Sequence, residues 1–267
     1  VFLDSRGMPI GRIYPPFINR TVNTRREQYL AYNNDKGVAI VKSIVYSKIA
    51  NQAGLIKSIA RKTCSEFYRQ AYYAITSILD TIITADGVLV EIRDKLRGLE
   101  GNIARLYWST ISRYLPQDIG FSGRDQRGFD PFNMCLNYMY GLLYKDAWRN
   151  LVLAGLDPYA GFIHVDISGK PVLAFDYVEL FRVSCVDYPL INLFRRGWRP
   201  DLLENNLLSY SSRMKLIEVY KKNLDRKIGY NNGERDVLGR VLKRIAFELA
   251  RFIRGDTRSF QGFIEDW

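Results

Sequence analysis

The stretch AGLDPYAGFIHVDISGKPVLAFDYVELFR, residues 154–182, contains His164, the only histidine of the 267-residue chain, together with two nearby carboxylates. Asp176 and Glu179 lie three residues apart in a segment whose apolar residues also recur at every third position. This spacing predicts a helix that carries both carboxylates on one face. We expect the rest of the chain to be organised around this stretch.

A predicted turn separates His164 from the carboxylates. The segment DISGKP, residues 166–171, contains residue types that favour chain reversal through side-chain capping, a positive φ or a fixed φ. A turn there brings the imidazole back against one or both carboxylates. Nitrogen and oxygen ligands without a thiolate suit a hard or borderline divalent cation, so the residues predict a manganese or magnesium site.

Glu100 is the best candidate for a third ligand. It lies in GLEGNIARLYW, residues 98–108, between two glycines, and we expect it to open a helix. Asp166 competes with Glu179 for the role of acidic ligand because it lies only two residues from His164. Turn chemistry also accounts for Asp166.

Each of these residues has a structural interpretation as well. A single histidine in an apolar stretch is more often a hydrogen-bonded structural residue than a ligand. Glu100 can serve as a first-turn acid that complements a helix dipole, and Asp176 with Glu179 can form a solvated helix face paired with Arg182. The residues alone leave these alternatives open.

The charge of the chain predicts a polyanionic partner. Lys and Arg total 39 against 28 Asp and Glu, which gives a formal net charge of +11. Such an excess favours nucleic acid, because binding releases counterions condensed on the phosphates. Acids gathered around the single histidine would repel phosphate unless a cation lay between them.

The composition, with 47% hydrophobic residues, is typical of a globular protein. No run approaches the roughly 18 apolar residues of a membrane span, and no basic-then-apolar leader opens the sequence. We therefore expect a cytoplasmic protein with no membrane partner. Cys64, Cys135 and Cys185 lack the spacings of zinc or disulfide frameworks, and we expect buried free thiols.

Helical periodicity dominates from Thr24 onward, so the predicted fold class is mainly α. Residues 1–17 predict a hairpin that turns at Gly7, followed by a linker over residues 15–23. Thr24 and Glu27 match a capping box. The sequence also predicts an interruption between two helical regions over 85–101 and a loop over 116–130. The remaining predicted segments are a buried central helix over 133–153 and amphipathic helices over 209–228 and 234–254.

Five separated blocks resemble one known family. They are SKIANQAGLI (47–56), LEGNIARLYW (99–108), NMCLNYMYGLLY (133–144), AGLDPYAGFIH (154–164) and FDYVELFR (175–182). In order and spacing they are similar to the CRISPR-associated integrase that inserts new spacers, CRISPR-associated protein one. The resemblance implies that residues 1–22 are the end of a small β-rich amino-terminal domain and its linker, most of that domain being absent from this chain. Residues 23–267 would then form the multi-helix catalytic domain.

The resemblance also implies roles for the candidate residues. Glu100, His164 and Glu179 match the metal ligands of the family, and Asp176 matches the neighbouring acid that orients a ligand or water. The implied protein is a homodimer bridged by CRISPR-associated protein two, which acts on double-stranded protospacer and repeat DNA. A 3′-hydroxyl of the captured end attacks the repeat junction, and the reverse, disintegrating reaction is also possible.

Two arginine clusters are candidate DNA contacts. One comprises Arg124 and Arg127 in the predicted loop, and the other comprises Arg195, Arg196 and Arg199 around a tryptophan, a mixture that suits stacking on a frayed end. Each cluster can equally be a solvated surface. The alternative functions are a transposon-type integrase of the same superfamily, a non-catalytic nucleic-acid binding scaffold, and a repair nuclease of branched DNA.

Overall fold

The computed structural model describes residues 2–5, 9–11, 21–203 and 207–267. These residues form ten α-helices and two short antiparallel strand pairs. The helices are α1 (Thr21–Ala31), α2 (Asp35–Thr63), α3 (Glu66–Thr76), α4 (Leu79–Thr84), α5 (Leu89–Tyr114), α6 (Pro131–Leu153), α7 (Val172–Val178), α8 (Tyr188–Arg195), α9 (Tyr210–Leu224) and α10 (Leu238–Arg254). The strands are β1 (Phe2–Leu3), β2 (Pro9–Gly11), β3 (Lys227–Tyr230) and β4 (Glu234–Val237). The predicted mainly helical class is confirmed.

Helix α2 is the longest element and packs against α3, α4 and α5. The Asn34 side chain caps its start by accepting from the Lys36 amide at 2.9 Å, and Cys64 ends it in the left-handed region with φ +51°. Cys64 is exposed, so the prediction of a buried thiol is wrong there, whereas Cys135 and Cys185 are buried as expected.

The carboxyl-terminal tail docks on α2 and on the segment after α7. Asn51 Nδ2 donates to the carbonyls of Phe263, at 2.8 Å, and Leu180, at 3.2 Å, while its Oδ1 accepts from the Glu265 amide at 2.9 Å. Phe263 is fully buried and stacks on Phe181 with 4.7 Å between ring centroids. The buried amide of Asn51 therefore fixes two segments that are remote in sequence against one helix.

Several predicted boundaries are confirmed. The buried central helix is α6, and residues 116–130 form a loop with a single 3-10 turn at Gln117–Ile119. The predicted hairpin pairs β1 with β2, but Gly7 and most of the predicted linker lie outside the described residues. The division at residue 22 stays a prediction.

Other boundaries are wrong. Helix α1 already begins at Thr21, so Thr24 lies inside it and residues 21–23 are not linker. The carboxyl-terminal runs 209–228 and 234–254 each contain a strand, because residues 227–237 form the β3–β4 hairpin. Among the described helices, none combines the length and apolar character needed to cross a bilayer.

Candidate active site

Asp176 and Glu179 both point into the protein interior. Asp176, near the end of α7, is fully buried, and Glu179, just beyond that end, is 5% exposed. The solvated-face interpretation is therefore wrong. After Glu179 the chain passes through a π-helical turn, Val183–Asp187, before α8 begins, a local widening of the helix that is frequent at functional sites.

Asp176 binds the backbone that carries the histidine. Its Oδ2 accepts from the amides of Phe162, at 2.6 Å, and Ile163, at 2.9 Å. Its Oδ1 accepts from the His164 amide at 3.0 Å and lies 2.6 Å from His164 Nδ1. One carboxylate thus fixes three successive residues and the orientation of the imidazole, and Nε2 is left for a ligand.

Gly161 allows this close approach. A Cβ atom at this position would lie 2.6 Å from Val172 Cγ1 and 2.9 Å from Asp176 Oδ2. The predicted turn follows, where Gly169 has a φ of +75° and the Lys170 amide donates to the Ile167 carbonyl at 3.0 Å. Both glycines are needed for the backbone that presents His164.

The surroundings of His164 favour its protonated form. The hydrogen bond with Asp176 raises the pKa of the imidazole; partial burial opposes that shift, while the negative charges of Asp176, Glu179 and Glu100 reinforce it. The side chain remains 44% exposed. His164 is thus near enough to both glutamates for their charges to act on it, and it is open to solvent.

Glu100 lies in the middle of α5, so the prediction that it opens a helix is wrong. Helix α5 begins at Leu89, and Gly98 and Gly101 are helical residues whose α-carbons face open space. The first-turn interpretation of Glu100 is excluded by the same observation. Its carboxylate instead faces α2.

Lys48 of α2, which sequence reasoning missed, joins the two glutamates. Its ammonium donates to Glu100 Oε1 and lies 2.5 Å from Glu179 Oε2. Glu179 Oε1 pairs with Arg182 Nη2 at 2.8 Å. Burial raises the pKa of Glu179, but Arg182, Lys48 and His164 more than offset it and hold that pKa at about 2. Lys48 lies in SKIANQAGLI, one of the five blocks that resemble the family, and that resemblance is the only feature of the sequence that points to it.

A buried network of Tyr140, Asp187 and Tyr107 supports Arg182. The guanidinium packs over the ring of Tyr140 at 4.6 Å from its centroid. The Tyr140 hydroxyl donates to Asp187 Oδ1 at 2.6 Å, and the Tyr107 hydroxyl donates to Asp187 Oδ2 at 2.9 Å. Burial raises the pKa of Asp187 to about 6, although both hydroxyls and Arg182 oppose the shift.

The donors fit a divalent ion. Glu100 Oε1 and Glu179 Oε2 converge on a single cationic atom, Lys48 Nζ, so two carboxylate oxygens already share one positive charge. No three acidic, histidine or cysteine side chains in the described ranges already converge closely enough to hold an ion. Asp166, the rival ligand, is exposed.

The loop arginines differ in their surroundings. Arg124 donates to the side-chain oxygens of Asn133, at 3.0 Å, and Asn137, at 2.6 Å, and lies over the ring of Tyr140. Burial lowers its pKa. Arg127 is exposed. Arg124 therefore holds the loop against α6, and Arg127 is the loop arginine that faces solvent.

The second arginine cluster is also divided. Arg199 forms a bidentate pair with Asp118, with contacts of 2.7 to 3.0 Å, and donates to the carbonyls of Phe194 and Trp198. Arg195 packs over the ring of Tyr114 at 3.6 Å from the centroid. Arg195 and Arg196 are both exposed, but Arg195 is stacked on Tyr114, so Arg196 is the member of the cluster best placed for an external ligand.

The sequence is similar to one protein family over most of its length. The family CRISPR associated protein Cas1 matches residues 1–222. A CRISPR-associated endonuclease Cas1 from Archaeoglobus fulgidus is 35% identical over 288 residues, which cover 100% of this chain and 82% of that protein. A second, from Saccharolobus solfataricus, is 34% identical over 264 residues, covering 98% of this chain and 78% of that protein.

Solved structures share the fold. A casposase bound to integration product has a TM-score of 0.81 at 24% identity and covers 97% of this chain and 72% of its own. A CAS1 protein from Thermotoga maritima has a TM-score of 0.73 at 20% identity and covers 93% of this chain and 78% of its own. The family predicted from the five sequence blocks is confirmed: this chain belongs to the CRISPR-associated protein Cas1 family.

Proposed function

We propose that this chain is a metal-dependent DNA endonuclease and integrase that inserts new spacers into a CRISPR array. Relatives named as Cas1 endonucleases support the general activity. The observation that carries the metal-dependent part is the convergence of Glu100 and Glu179 on one cationic position, with His164 held in direction by Asp176. Glu100, His164 and Glu179 are the proposed ligands of Mn²⁺ or Mg²⁺.

The proposed reaction is a transesterification. The 3′-hydroxyl oxygen of a captured DNA end attacks the phosphorus at the repeat junction, a new P–O bond forms, and the old P–O bond breaks. The proton of the attacking hydroxyl passes to solvent, and the leaving oxygen takes up a proton from solvent to become the new 3′-hydroxyl. A divalent ion held by Glu100, His164 and Glu179 would neutralise the negative charge that develops on the phosphoryl oxygens. Attack by water in place of the hydroxyl gives endonuclease cleavage.

The chain's own residues prepare this site. Asp176 sets the direction of the imidazole through Nδ1, and His164 would bind an ion through Nε2 once that nitrogen has lost its proton. The positive charge of Arg182 favours the ionised form of Glu179. The π-helical turn that follows Arg182 ends at Asp187, whose carboxylate belongs to the buried network behind this ion pair. Lys48 and Arg182 offset the negative charges of Glu100 and Glu179.

The proposed partners are double-stranded DNA, a second copy of the chain and CRISPR-associated protein two. The net charge of +11 favours DNA. Similar folds occur in chains titled as a Cas6-RT-Cas1–Cas2 complex, with a TM-score of 0.76 at 23% identity over 94% of this chain and 28% of that one. Arg127 and Arg196, which are both exposed, are the arginines proposed to contact phosphate. We also propose a cytoplasmic location.

A transposon-type integrase is the second candidate, favoured by the casposase TM-score of 0.81. The chemistry would be the same, and the target DNA would differ. Insertion assays with a repeat-containing target and a matched target without repeats separate the two. Selective insertion at the repeat junction supports the CRISPR function.

The direct test is substitution of the ligands. Glu100→Ala and His164→Ala should keep the fold and DNA affinity but lose cutting and joining in Mn²⁺ by at least about 100-fold. Asp166→Ala is the matched control, because that exposed acid lies two residues from His164. Unchanged turnover in either ligand variant would refute the assignment. Intact DNA binding without metal-stimulated activity in the unaltered protein would favour the scaffold.

A further inference from the structure

Lys48 occupies the centre of the carboxylate pair. Its ammonium contacts Glu100 Oε1 and Glu179 Oε2, and its side chain is only 12% exposed. These two oxygen atoms face each other across the site and would be the shared ligands of an ion. Two cations cannot occupy the space between the same oxygen atoms, because they repel each other strongly where water is scarce.

Lys48 and Arg182 differ in how firmly they are held. Arg182 uses the other oxygen of Glu179, Oε1, and its guanidinium packs over the ring of Tyr140. Within the described part of the chain, Lys48 has no ion-pair partner besides the two glutamates. A compact ammonium on a flexible four-carbon stem moves more easily than a stacked planar guanidinium. Lys48, rather than Arg182, is therefore the cation that can move away from the two glutamates.

We infer that Lys48 is a resident competitor of the divalent ion. The ammonium and the ion bind Glu100 and Glu179 as alternatives, and ion binding moves Lys48 Nζ away from both carboxylates. The inference rests on the proposed function, since it takes these glutamates as ligands. Lys48 holds the two carboxylates together and weakens the affinity of the chain for the ion.

The experiment measures Mn²⁺ affinity without DNA, from the electron paramagnetic resonance signal of free Mn²⁺ titrated with the full chain. Lys48→Met should bind Mn²⁺ at least about tenfold more tightly than the unaltered chain, because a repelling charge is gone. Lys48→Arg keeps a cation and should stay within about threefold. Lys57→Met is the matched control, since Lys57 is an exposed lysine of the same helix.

Thermal unfolding gives a second readout. Glu100 and Glu179 lose their shared cation in Lys48→Met, so added Mn²⁺ should raise its melting temperature more than that of the unaltered chain. If Lys48→Met does not fold, Lys48→Gln replaces it, because a neutral amide still donates to a carboxylate.

The outcomes separate the two claims. If the unaltered chain binds Mn²⁺ and Lys48→Met, or Lys48→Gln in its place, binds it equally or more weakly, the inference is overturned and the proposed function stays intact. Absence of Mn²⁺ binding in every variant overturns both. Mn²⁺ binding that is tighter in Lys48→Met, and that is abolished when Glu100→Gln is added to this variant, supports both the inference and the proposed function.

Discussion

The two halves of the candidate site are held by different forces. In the histidine half, His164 and Asp176 are 12 residues apart, and a buried carboxylate accepts three backbone amides. In the carboxylate half, Glu100 and Glu179 come from distant elements and meet through the charge of Lys48. The comparison shows one rigid half, built from hydrogen bonds to the backbone, and one adjustable half, built from exchangeable ion pairs.

The largest effect should follow from Asp176→Ala. Three buried amides lose their acceptor, and we expect the free energy of unfolding to fall by about 3–5 kcal/mol. Glu100→Gln, in the carboxylate half, should cost less than about 1 kcal/mol because its ion pair is partly exposed. Urea unfolding of both variants measures the contrast, and equal losses would show that the halves are not held differently.

The pH dependence of stability tests the network behind the carboxylate half. Burial raises the pKa of Asp187 from 3.8 to about 6. The folded protein therefore binds this proton more tightly than the unfolded chain does. The stabilisation that comes from this tighter binding is complete below about pH 3.8 and is lost as pH rises through about 6. Relative to Asp187→Asn, the unaltered protein should lose about 2 kcal/mol between pH 4 and pH 7.

Urea unfolding across that range measures the difference between the two proteins. Asp166→Asn is the control, because Asp166 is exposed. A difference between the unaltered protein and Asp187→Asn that does not change with pH would mean that Asp187 titrates normally in the folded state.

Gly161→Ala tests how tightly the histidine half is packed. The added methyl group would lie 2.6 Å from Val172 Cγ1, and we expect a loss of about 1–3 kcal/mol. Gly141→Ala in α6 is the matched control, since its new methyl group meets no atom within 4 Å. Thermal melts of the two variants should differ in sign, because alanine favours a helix over glycine. A neutral Gly161→Ala would show that the backbone around His164 can shift.

Tyr140→Phe should have a smaller effect than Asp176→Ala. The ring under Arg182 is kept, and only the hydroxyl that donates to Asp187 is lost. We expect a loss of about 1 kcal/mol in the free energy of unfolding. A Tyr140→Leu variant, which also removes the ring, should lose more and should lower Mn²⁺ affinity as well. Equal effects would mean that the ring does not support Arg182.

The histidine half could be predicted from the sequence because its partners are close together in the chain. The turn residues, His164 and the following acids lie within one stretch of 29 residues, and local rules for turns and helices apply to them. The depth of burial of Asp176 did not follow from those rules. A regular amphipathic face and a fully buried segment can show the same spacing.

The carboxylate half could be predicted only in part. Glu100 was identified, but its flanking glycines suggested a helix start, whereas packing carries α5 straight through both of them. Lys48 was not identified, because its partner Glu100 lies 52 residues away and no local pattern links them. Asp187 was missed because the π-helical turn changes the register after Glu179.

The most direct test of the shared ion uses the single histidine. Pulsed electron paramagnetic resonance of Mn²⁺ bound to the untagged protein detects coupling to an imidazole nitrogen, and His164 is the only possible source in the chain. We predict one bound ion with nitrogen coupling that disappears in His164→Gln, and loss of the ion in Glu100→Gln. Bound Mn²⁺ without nitrogen coupling, or coupling that survives in His164→Gln, would contradict a site shared by Glu100, His164 and Glu179.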